Sequence, residues 1–479
     1  MKQELDYSRE LGYQLLEWRS KRSPNSKAYV DELGAKSFSQ LRFDALRLAR
    51  HMENVGVKKA DLVAFRGTAY FQIVAYFASN YLGAVSAQFV NPSPTKQETA
   101  LFTHLFLELG SSTSDSRVWN SVDLGALPSR DPSELPQRLL EGDGLRIVFS
   151  SGTSGSPKPM LVTCGVMATR MQDHRESLSR KDRLHSFFGA ATMLGSYQLV
   201  YSVITGEPWI QPKSAKWLAQ TIISSKINAL QASPLAVEGF MKDLRLLGLT
   251  PPRLKRIYLT GGWISEELES RVSEFFGAQI LVDYGASEVG KVARRHGARS
   301  TPWDSGKLSK SVSLEIIGDD SELLQPGERG RVRISSPAMV DGYLIDETAS
   351  SFESGYFYPG DFGAVSVDGT LEIFGREGQI ANLSGVKIDL KQIEDFAANV
   401  LELDSPIAFS FGSASGVMEL GLAYKGDSEL DTDSIVSSLR MKFGREAPKS
   451  FVELSRVPLT PSGKPDRQAL AAHLENSND

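Results

Sequence analysis

Strand-like apolar segments alternate with helical patterns through residues 1 to about 300 of this chain. The strand-like segments lie at 62–65, 85–89, 147–149, 257–259 and 279–283. The helical stretches between them include 39–54, 214–225, 234–247 and 265–276. Strands that follow one another through helices run parallel, and the helices then cover both faces of their sheet. The pattern therefore predicts an α/β fold built on parallel sheet.

The pattern changes after residue 313. Short runs of alternating polarity, separated by turn sequences, lie at 314–317, 330–335 and 370–374. Such runs are typical of an antiparallel sheet or a small barrel. After Arg376 helical and strand patterns mix again. We therefore predict a β-rich subdomain at about 292–375, a domain boundary between 376 and 377, and an α+β domain at 377–479.

The composition is that of a globular protein, because 41% of the 479 residues are hydrophobic and 23% are charged. The net charge of -5 gives no basic surface, so we expect no nucleic-acid partner. The one cysteine, Cys164, excludes a disulfide framework and indicates a reducing compartment, which we expect to be cytoplasmic. The uncharged stretch 71–90 contains Gln, Ser and Asn, so it predicts a buried helix and strand rather than a membrane span.

A loop rich in hydroxyl groups and glycine follows the strand-like segment at 147–149. It reads FSSGTSGSPKP over 149–159 and suits a polyphosphate, because glycines expose backbone N–H groups and hydroxyls and a lysine add donors. Lys158 lies between two prolines, which excludes the Gly-Lys-Ser/Thr spacing of a Walker loop. A flexible Ser/Gly linker is the alternative interpretation. The candidate phosphate-binding residues are Ser151, Gly152, Thr153, Ser154, Gly155 and Lys158.

Two segments that follow strand-like runs suit other parts of a nucleotide. Gly261 and Gly262 would let a flat ring lie against bare backbone. Tyr284 offers a stacking face, Ser287 a hydroxyl for a phosphate, and Glu288 a hard oxygen for Mg²⁺. Each segment taken alone is equally typical of an ordinary turn.

Two later segments carry a carboxylate and a lysine. Asp361 lies in a Tyr-Pro-Gly-Asp turn and suits ribose hydroxyls. Lys464 lies in a Gly/Pro-rich loop and suits charge that develops during group transfer. An ordinary turn and a solvated surface lysine are the commoner interpretations of these two segments.

Together and in this order, these segments resemble the adenylate-forming superfamily of AMP-dependent synthetases and ligases. That superfamily includes acyl-CoA synthetases, the adenylation domains of peptide synthetases and firefly luciferase, and the resemblance covers residues 39 to 470. It implies a large N-terminal domain, over 1–376, of two parallel-sheet α/β subdomains and a small β-barrel-like subdomain. It also implies a small mobile α+β C-terminal domain over 377–479, with the hinge at Gly378. The matching segments are 149–159, 260–262, 284–288, 358–361, 375–394 and 458–467.

The resemblance further implies a reaction in two steps. A small-molecule carboxylic acid attacks the α-phosphate of ATP, with Mg²⁺ present, to give acyl-AMP and pyrophosphate, and a thiol then takes the acyl group. Catalytic roles carry over to Ser287, Glu288, Lys387 and Lys464, with Glu288 as the metal ligand. Nucleotide-binding roles carry over to Ser151, Gly152, Thr153, Ser154, Gly155, Lys158, Gly261, Gly262, Asp283, Tyr284, Gly285, Asp361 and Arg376.

The stretch 187–197 bears on the acid, because it contains no acidic or basic side chain. Superfamily members that activate α-amino acids usually place an aspartate there, so an apolar or aromatic acid is favoured. The candidate pocket residues are Met193, Leu194, Tyr197, Trp263 and Val289, and for each one alone a place in the core is the better interpretation. We expect the acceptor to be CoA or the phosphopantetheine of an acyl or peptidyl carrier protein.

The chain departs from the superfamily pattern at three positions. Pro159 stands where glycine is usual, Gly378 where Asp or Lys is usual, and Ser287 where threonine is usual. None of these changes removes a catalytic group, so we expect activity. Two alternatives stay open: an amide-forming ligase that uses the same acyl-AMP, and a nucleotide-binding protein that has lost turnover.

Overall fold

The chain divides into two compact units. Among the described residues, the first unit holds those up to 150, those at 158–313 and those at 335–357, and the second holds 314–334 and those from 358 onward. The predicted boundary between 376 and 377 stays a prediction, because 377–379 lie outside the described part. The computed structural model describes residues 11–89, 100–111, 119–129, 136–150, 158–179, 182–262, 264, 266–301, 303–345, 351–376, 380–383, 386–412, 418–426, 432–444, 447–455, 457–458 and 465–477.

Helices and strands alternate along the first unit. Its helices are α1 (Tyr13–Arg22), α2 (Phe38–Asn54), α3 (Ala69–Leu82), α4 (Cys164–Ser177), α5 (Met193–Thr205), α6 (Ala215–Ser224), α7 (Pro234–Leu246) and α8 (Glu266–Phe276). Its strands are β1 (Lys27–Asp31), β2 (Gly34–Ser37), β3 (Leu62–Arg66), β4 (Val85–Phe89), β5 (His104–Glu108), β6 (Asn120–Val122), β7 (Gly144–Ser150), β8 (Lys158–Thr163), β9 (Leu184–Ser186), β10 (Trp209–Ile210), β11 (Ala229–Ala232), β12 (Arg256–Thr260), β13 (Gln279–Ala286), β14 (Gly290–His296), β15 (Asp304–Leu308), β18 (Phe352–Glu353) and β19 (Tyr356–Phe357).

Two largely parallel sheets form the framework of the first unit. In one sheet the strand order is β6-β5-β3-β4-β7-β8, and β8 returns antiparallel beside β7. In the other, β9, β11, β12 and β13 are parallel, and β14 and β15 continue the sheet antiparallel. The predicted α/β class and its two parallel sheets are therefore confirmed.

Hydroxyl residues begin most helices of the first unit. Each hydroxyl accepts the backbone N–H three residues further on, which satisfies one of the unpaired donors of the first helical turn. The capping residues of α2 to α7 are Ser37, Thr68, Thr163, Thr192, Ser214 and Ser233. Thr163 is the last residue of β8, and Ser233 directly follows β11, so these strands lead into their helices without long loops.

Helix α3 occupies the stretch without charge and lies in the main core of the first unit. Its residues from Phe71 to Leu82 are all buried, and Gly83 ends the helix with a positive φ of 71°. The predicted buried helix, turn and strand at 71–90 are confirmed as far as residue 89. Within the part of the chain that the structure describes, no helix is long and apolar enough to cross a membrane.

The second unit begins with antiparallel strands. Strands β17 (Gly330–Ser335) and β20 (Asp361–Val365) pair antiparallel, as do β20 and β21 (Thr370–Arg376), and β16 (Ser313–Ile317) pairs with β17. The antiparallel runs predicted at 314–317, 330–335 and 370–374 are therefore present. The strands of this unit are β16 (Ser313–Ile317), β17 (Gly330–Ser335), β20 (Asp361–Val365), β21 (Thr370–Arg376), β22 (Ile380–Leu383), β23 (Val386–Asp389), β24 (Asp404–Gly412), β25 (Met418–Lys425) and β26 (Ser450–Leu454), and its helices are α9 (Leu390–Asn399), α10 (Thr432–Phe443) and α11 (Arg467–Ser477).

The C-terminal part of the second unit is an α+β assembly with two apolar clusters. Strands β24 and β25 pair antiparallel, and β26 adds to β25 in parallel. One cluster joins this sheet to α9 and α10 through Ile393 and Leu439. The other joins it to α11 through Leu470. An ion pair of 2.5 Å between Arg467 and Glu394 links α11 to α9.

Asp389 links pH to the stability of this region. It ends β23 and caps α9, since its carboxylate accepts the Lys391 N–H at 2.8 Å. Burial raises the pKa of this carboxyl from 3.8 to about 7, and the charges of Asp395 and Glu394 add to the rise. A carboxyl whose pKa is raised by folding contributes stability below its ordinary pKa, and that contribution is lost as the pH rises through the folded-state value.

We expect Asp389→Asn to remove this pH dependence while it keeps the helix cap. The Tm of the variant, measured by scanning calorimetry, should exceed that of the wild type at about pH 8 and fall to or below it at about pH 5. An equal change in Tm at the two pH values would contradict the prediction.

Candidate active site

The lysine of the predicted phosphate loop lies at the start of β8. Residues 151–157, with Ser151, Gly152, Thr153, Ser154 and Gly155, lie outside the described residues. The Lys158 Nζ lies 4.6 Å from the centroid of the Tyr343 ring. Next to it, Pro159 is buried and its carbonyl accepts the Leu344 N–H at 2.8 Å. The proline thus belongs to a backbone junction that places Tyr343 beside Lys158.

Ser287 and Glu288 lie in the tight turn between β13 and β14. The turn requires small residues, because a Cβ on Gly285 would clash with the Gly290 carbonyl. Glu288 is 7% exposed, and its Oε1 accepts a hydrogen bond of 2.7 Å from the Tyr343 hydroxyl. The structure therefore brings two predicted site residues to one tyrosine side chain, with Lys158 against the Tyr343 ring and Glu288 at its hydroxyl.

Arg170 fixes the backbone of this turn by hydrogen bonds. Its guanidinium donates to the carbonyls of Ser287 and Glu288, at 2.9 Å each, and to the Ala338 carbonyl at 2.7 Å. The Val340 N–H also donates to the Glu288 carbonyl at 2.9 Å. The main chain of the turn is thus fixed by donors from two other segments.

The two glycines predicted to flank adenine follow β12 and are exposed. Gly261 has a positive φ of 81°, and the nearest side-chain atoms to a Cβ there belong to Phe188, at 3.9 Å. Strand β12 runs parallel to β13, with Thr260 opposite Asp283. Gly261, Gly262 and Tyr284 therefore lie at the same carboxyl edge of the sheet, which is where ligands bind in α/β folds.

Asp283, predicted to bind the nucleotide, is engaged within the fold. Both its carboxylate oxygens accept from Arg294, at 2.5 and 2.6 Å, and each side chain is 10% exposed. Arg294 also donates to the Ser177 carbonyl at the end of α4. This bidentate pair connects α4 to the strand that leads into the turn, so we infer that Asp283 orients the site rather than touching the nucleotide.

The candidate pocket residues are largely buried in the core. Met193 and Tyr197 lie on α5 and are 4% and 6% exposed, Val289 is fully buried, and Leu194 is partly buried. The Tyr197 hydroxyl accepts from Arg170 at 3.2 Å. Trp263 lies outside the described residues. These residues stay candidates for the wall of the acid pocket, and Tyr197 also contacts the residue that supports the turn.

Arg146 on β7 is a fully buried cation whose side chain contacts the beginning of α5. It donates to Ser196 Oγ at 2.5 Å, to Gln88 Oε1 at 2.6 Å and to the Ala190 carbonyl at 3.1 Å. Burial lowers its pKa to about 10, with a small opposing effect of Tyr76. These bonds join β4, β7 and the segment that contains the candidate pocket residues.

The predicted ribose pair lies in the second unit. Asp361 on β20 faces Arg376 on β21 in the strand register, and Arg376 Nε donates to its carboxylate at 3.2 Å. Asp361 is buried, whereas the Arg376 side chain is half exposed. Lys464 and Gly378 lie outside the described residues. For Lys387 only the backbone is described; it lies in β23, opposite Asn382 of β22.

Three residues of this region were not singled out by the sequence: Arg170, Tyr343 and Arg146. Arg170 left one detectable signal, because it lies on the buried stripe of α4 with Cys164, Met167, Met171 and His174. On the N-terminal side of Arg170 the neighbours at four- and three-residue spacing, Val166 and Met167, are apolar, and a cation in such a position is consistent with a buried arginine that has internal acceptors. No comparable pattern marked the other two residues.

Glu288 suits a metal that takes most of its ligands from phosphates and water. No group of three or more His, Cys, Asp or Glu that could hold a metal is found among the described residues. Mg²⁺ is commonly bound by one or two carboxylates together with substrate phosphates. A single buried carboxylate, oriented by the Tyr343 hydroxyl at 2.7 Å, fits that ligand set.

Comparison with known proteins identifies the type of domain. A family model described as AMP-binding enzyme matches residues 107–344. Bacitracin synthase 1 from Bacillus licheniformis is 21% identical over an alignment of 485 positions that covers 96% of this chain and 9% of that protein. The 2-succinylbenzoate–CoA ligase from Geobacillus sp. (strain WCH70) is 25% identical over an alignment of 407 positions that covers 78% of each protein. The chain spans less than half the length of several curated relatives that it matches.

The fold is similar to that of a solved synthetase. O-succinylbenzoate coenzyme A synthetase from Bacillus subtilis, in complex with AMP, has a TM-score of 0.80 and 18% identity, with 95% of this chain and 97% of that chain covered. The same synthetase in complex with ATP and a magnesium ion gives a TM-score of 0.78. At this level of identity the likeness establishes the fold.

We expect Asp283→Leu to lower the free energy of unfolding by about 3–5 kcal/mol, because it leaves the Arg294 charge buried without its partner. Adding Arg294→Met should restore much of that loss, since an apolar pair replaces an ion pair at little net cost. Urea denaturation measures the stabilities, and calorimetric ATP titration of the folded double variant tests the role of Asp283. A large loss of ATP affinity with unchanged stability would show instead that the carboxylate binds the nucleotide.

Proposed function

The chain belongs to the adenylate-forming superfamily of AMP-binding enzymes, and from that premise we propose that it is an ATP-dependent ligase for a carboxylic acid. In the first step an oxygen of the acid attacks the α-phosphorus of ATP, and pyrophosphate leaves with the electrons of the broken P–O bond. In the second step a thiolate attacks the acyl carbon of the acyl-AMP, and AMP leaves.

The juxtaposition of Lys158 and Glu288 about Tyr343 is the observation that supports this proposal most directly. The ring of Tyr343 lies 4.6 Å from Lys158 Nζ, and its hydroxyl lies 2.7 Å from Glu288 Oε1. A triphosphate in contact with both residues would meet a cation and a carboxylate suited to Mg²⁺. Substitution at phosphorus depends chiefly on positioning and charge stabilisation, which this arrangement can supply.

Magnesium enters the proposal through Glu288. When bound, the ion would neutralise charge on the phosphate oxygens and help to orient them. Glu288 would hold it, and the Tyr343 hydroxyl would keep the carboxylate oriented. Ser287, adjacent in the turn, would direct its hydroxyl to the α-phosphate.

The remaining roles rest on the superfamily resemblance. Gly261 and Gly262 would flank the adenine together with Tyr284. Asp361, held by Arg376, would accept hydrogen bonds from ribose hydroxyls.

The two lysines with proposed catalytic roles, Lys387 and Lys464, would act in different steps. Lys464 would stabilise the negative charge that develops as the acid attacks the α-phosphate. Lys387 would belong to the segment that serves the second step. The resemblance implies a mobile C-terminal domain, and its movement would bring a different lysine to the site in each step.

The acid is proposed to be apolar or aromatic. The segment 187–197 carries no charged side chain that would pair with an ammonium group. One relative and one similar structure are named as ligases that join succinylbenzoate to coenzyme A, which favours CoA as the acceptor. A carrier-protein phosphopantetheine is the second candidate acceptor, because one relative is named as a dimodular nonribosomal peptide synthase.

Pyrophosphate exchange with a panel of acids tests the proposed function. We expect incorporation of labelled pyrophosphate into ATP with apolar or aromatic acids and little with α-amino acids. Glu288→Gln, which keeps the shape of the side chain but removes its charge, should abolish the exchange and serves as the negative control. Absence of exchange with every acid would overturn ligase activity in favour of a nucleotide-binding protein without turnover.

The acceptor is identified by adding CoA, a phosphopantetheinylated carrier protein or a free amine to the acid that exchanges best. We expect AMP release coupled to thioester formation with CoA. Amide formation in place of thioester would assign the protein to the amide-forming ligases instead.

We expect Lys464→Ala to slow acyl-AMP formation by about 10²–10³-fold, because it removes the charge that stabilises the transition state. Transfer from supplied acyl-AMP to the thiol should change little. Measuring the two half-reactions separately distinguishes these effects, and equal losses in both would contradict a role confined to the first step.

A further inference from the structure

Arg170 is a buried arginine that the proposed mechanism does not use. It is 2% exposed and lies on the apolar stripe of α4 beside Met167 and Met171. A guanidinium has five N–H donors and cannot lose its charge in a protein, so burial is tolerated only where acceptors surround it. The positions of those acceptors therefore indicate which segments of the fold Arg170 connects.

Three acceptors are backbone carbonyls from segments distant in sequence. Nη1 and Nη2 donate to Ser287 and Glu288, and Nε donates to Ala338. Two of the three carbonyls therefore belong to the residues proposed to hold the α-phosphate and the metal. The third lies in the segment that continues to Tyr343, the partner of Glu288.

The fourth acceptor lies on the opposite side, on α5. Nη1 also donates to the Tyr197 hydroxyl at 3.2 Å. Tyr197 is one turn along α5 from Met193 and Leu194, the residues proposed to face the acid. One guanidinium thus joins the helix proposed to line the acid pocket to the turn proposed to hold phosphate and metal.

The charge of Arg170 has no carboxylate partner within the part of the chain that the structure describes. Its acceptors are neutral carbonyl and hydroxyl dipoles. In a buried position such a charge is weakly screened. It therefore favours negative charge near the turn, which is where the proposed phosphates bind.

We propose that Arg170 is a positioning residue that fixes the Ser287–Glu288 turn against α5, so that the acid and the metal-bound phosphates are aligned for attack. This inference rests on the proposed function. The effect acts through the turn, and Arg170 itself touches neither substrate. A purely structural arginine would instead affect stability and activity in proportion.

Two substitutions test the hydrogen-bonding geometry of Arg170 while they keep a positive charge at this position. Arg170→Lys keeps the positive charge but presents a single ammonium in place of the planar fork, so it cannot reach all the carbonyls. Tyr197→Phe removes only the link to α5. Arg175→Lys, at an exposed position of the same helix, is the matched control.

Steady-state pyrophosphate exchange at varied acid, ATP and Mg²⁺ concentrations gives the main readout. For Arg170→Lys we expect kcat to fall by about 10²-fold, the loss associated with misplacement of reacting groups by about 1 Å. The apparent KM for Mg²⁺ should rise, while the Tm stays near that of the wild type. Tyr197→Phe should raise the KM for the acid and leave the KM for Mg²⁺ unchanged, and Arg175→Lys should behave as wild type.

A folded Arg170→Lys variant with wild-type kcat and wild-type KM for Mg²⁺ would overturn the inference. A loss of activity that only follows the unfolded fraction, measured by circular dichroism of the same samples, would also overturn it. If Arg170→Lys does not fold, Tyr197→Phe decides: a raised KM for the acid supports the link, and an unchanged KM rejects it.

Calorimetric titration with ATP and Mg²⁺ distinguishes failure of this inference from failure of the proposed function. If the wild-type protein exchanges pyrophosphate with no acid, the ligase proposal fails. The titration then still tests Arg170, because Arg170→Lys should weaken the Mg²⁺-dependent part of ATP binding. Equal Mg²⁺-dependent binding by the two proteins would reject the role of Arg170 alone.

Discussion

Hydrogen bonds to two backbone carbonyls hold the turn between β13 and β14, and the candidate site of the first unit depends on them. Arg170 donates to the Ser287 and Glu288 carbonyls, and Val340 donates to the latter as well. Because Arg170 and Val340 fix the main chain of the turn, its side chains need not stabilise the turn themselves. A polar site whose backbone is fixed in this way is organised before its ligand arrives, which is the condition for electrostatic stabilisation without rearrangement.

The fold could be predicted closely because its signals are local. The strands predicted at 62–65, 85–89 and 257–259 occur at Leu62–Arg66, Val85–Phe89 and Arg256–Thr260. Apolar runs of strand length and helices begun by Ser or Thr are written in neighbouring residues, so one sequence suffices to detect them. The division into compact units was harder to predict, because strands β16 to β21 follow one another with no α-helix between them among the described residues.

The sequence marked candidate site residues only where the type of residue suggests its chemistry, and their roles stay predictions. Glu288 and Lys158 carry charges suited to metal and phosphate, and the pairing of Asp361 with Arg376 follows from adjacent strands. Arg170 escaped prediction because its acceptors are carbonyls 117, 118 and 168 residues away, and every residue possesses a carbonyl. Asp283 shows the converse, since a carboxylate beside a predicted nucleotide site serves an internal pair with Arg294.

The junction of β8 and α4 has a consequence for how sequences of this kind can diverge. Lys158 begins the strand, Thr163 caps the helix that follows without a loop, and Arg170 lies two turns along it. Each residue of an α-helix turns the chain by about 100°, so inserting or deleting a single residue before Arg170 within the helix would direct its guanidinium away from the turn. Chain length between Lys158 and Arg170 is therefore under the same constraint as residue identity, and insertions are expected to accumulate in loops elsewhere.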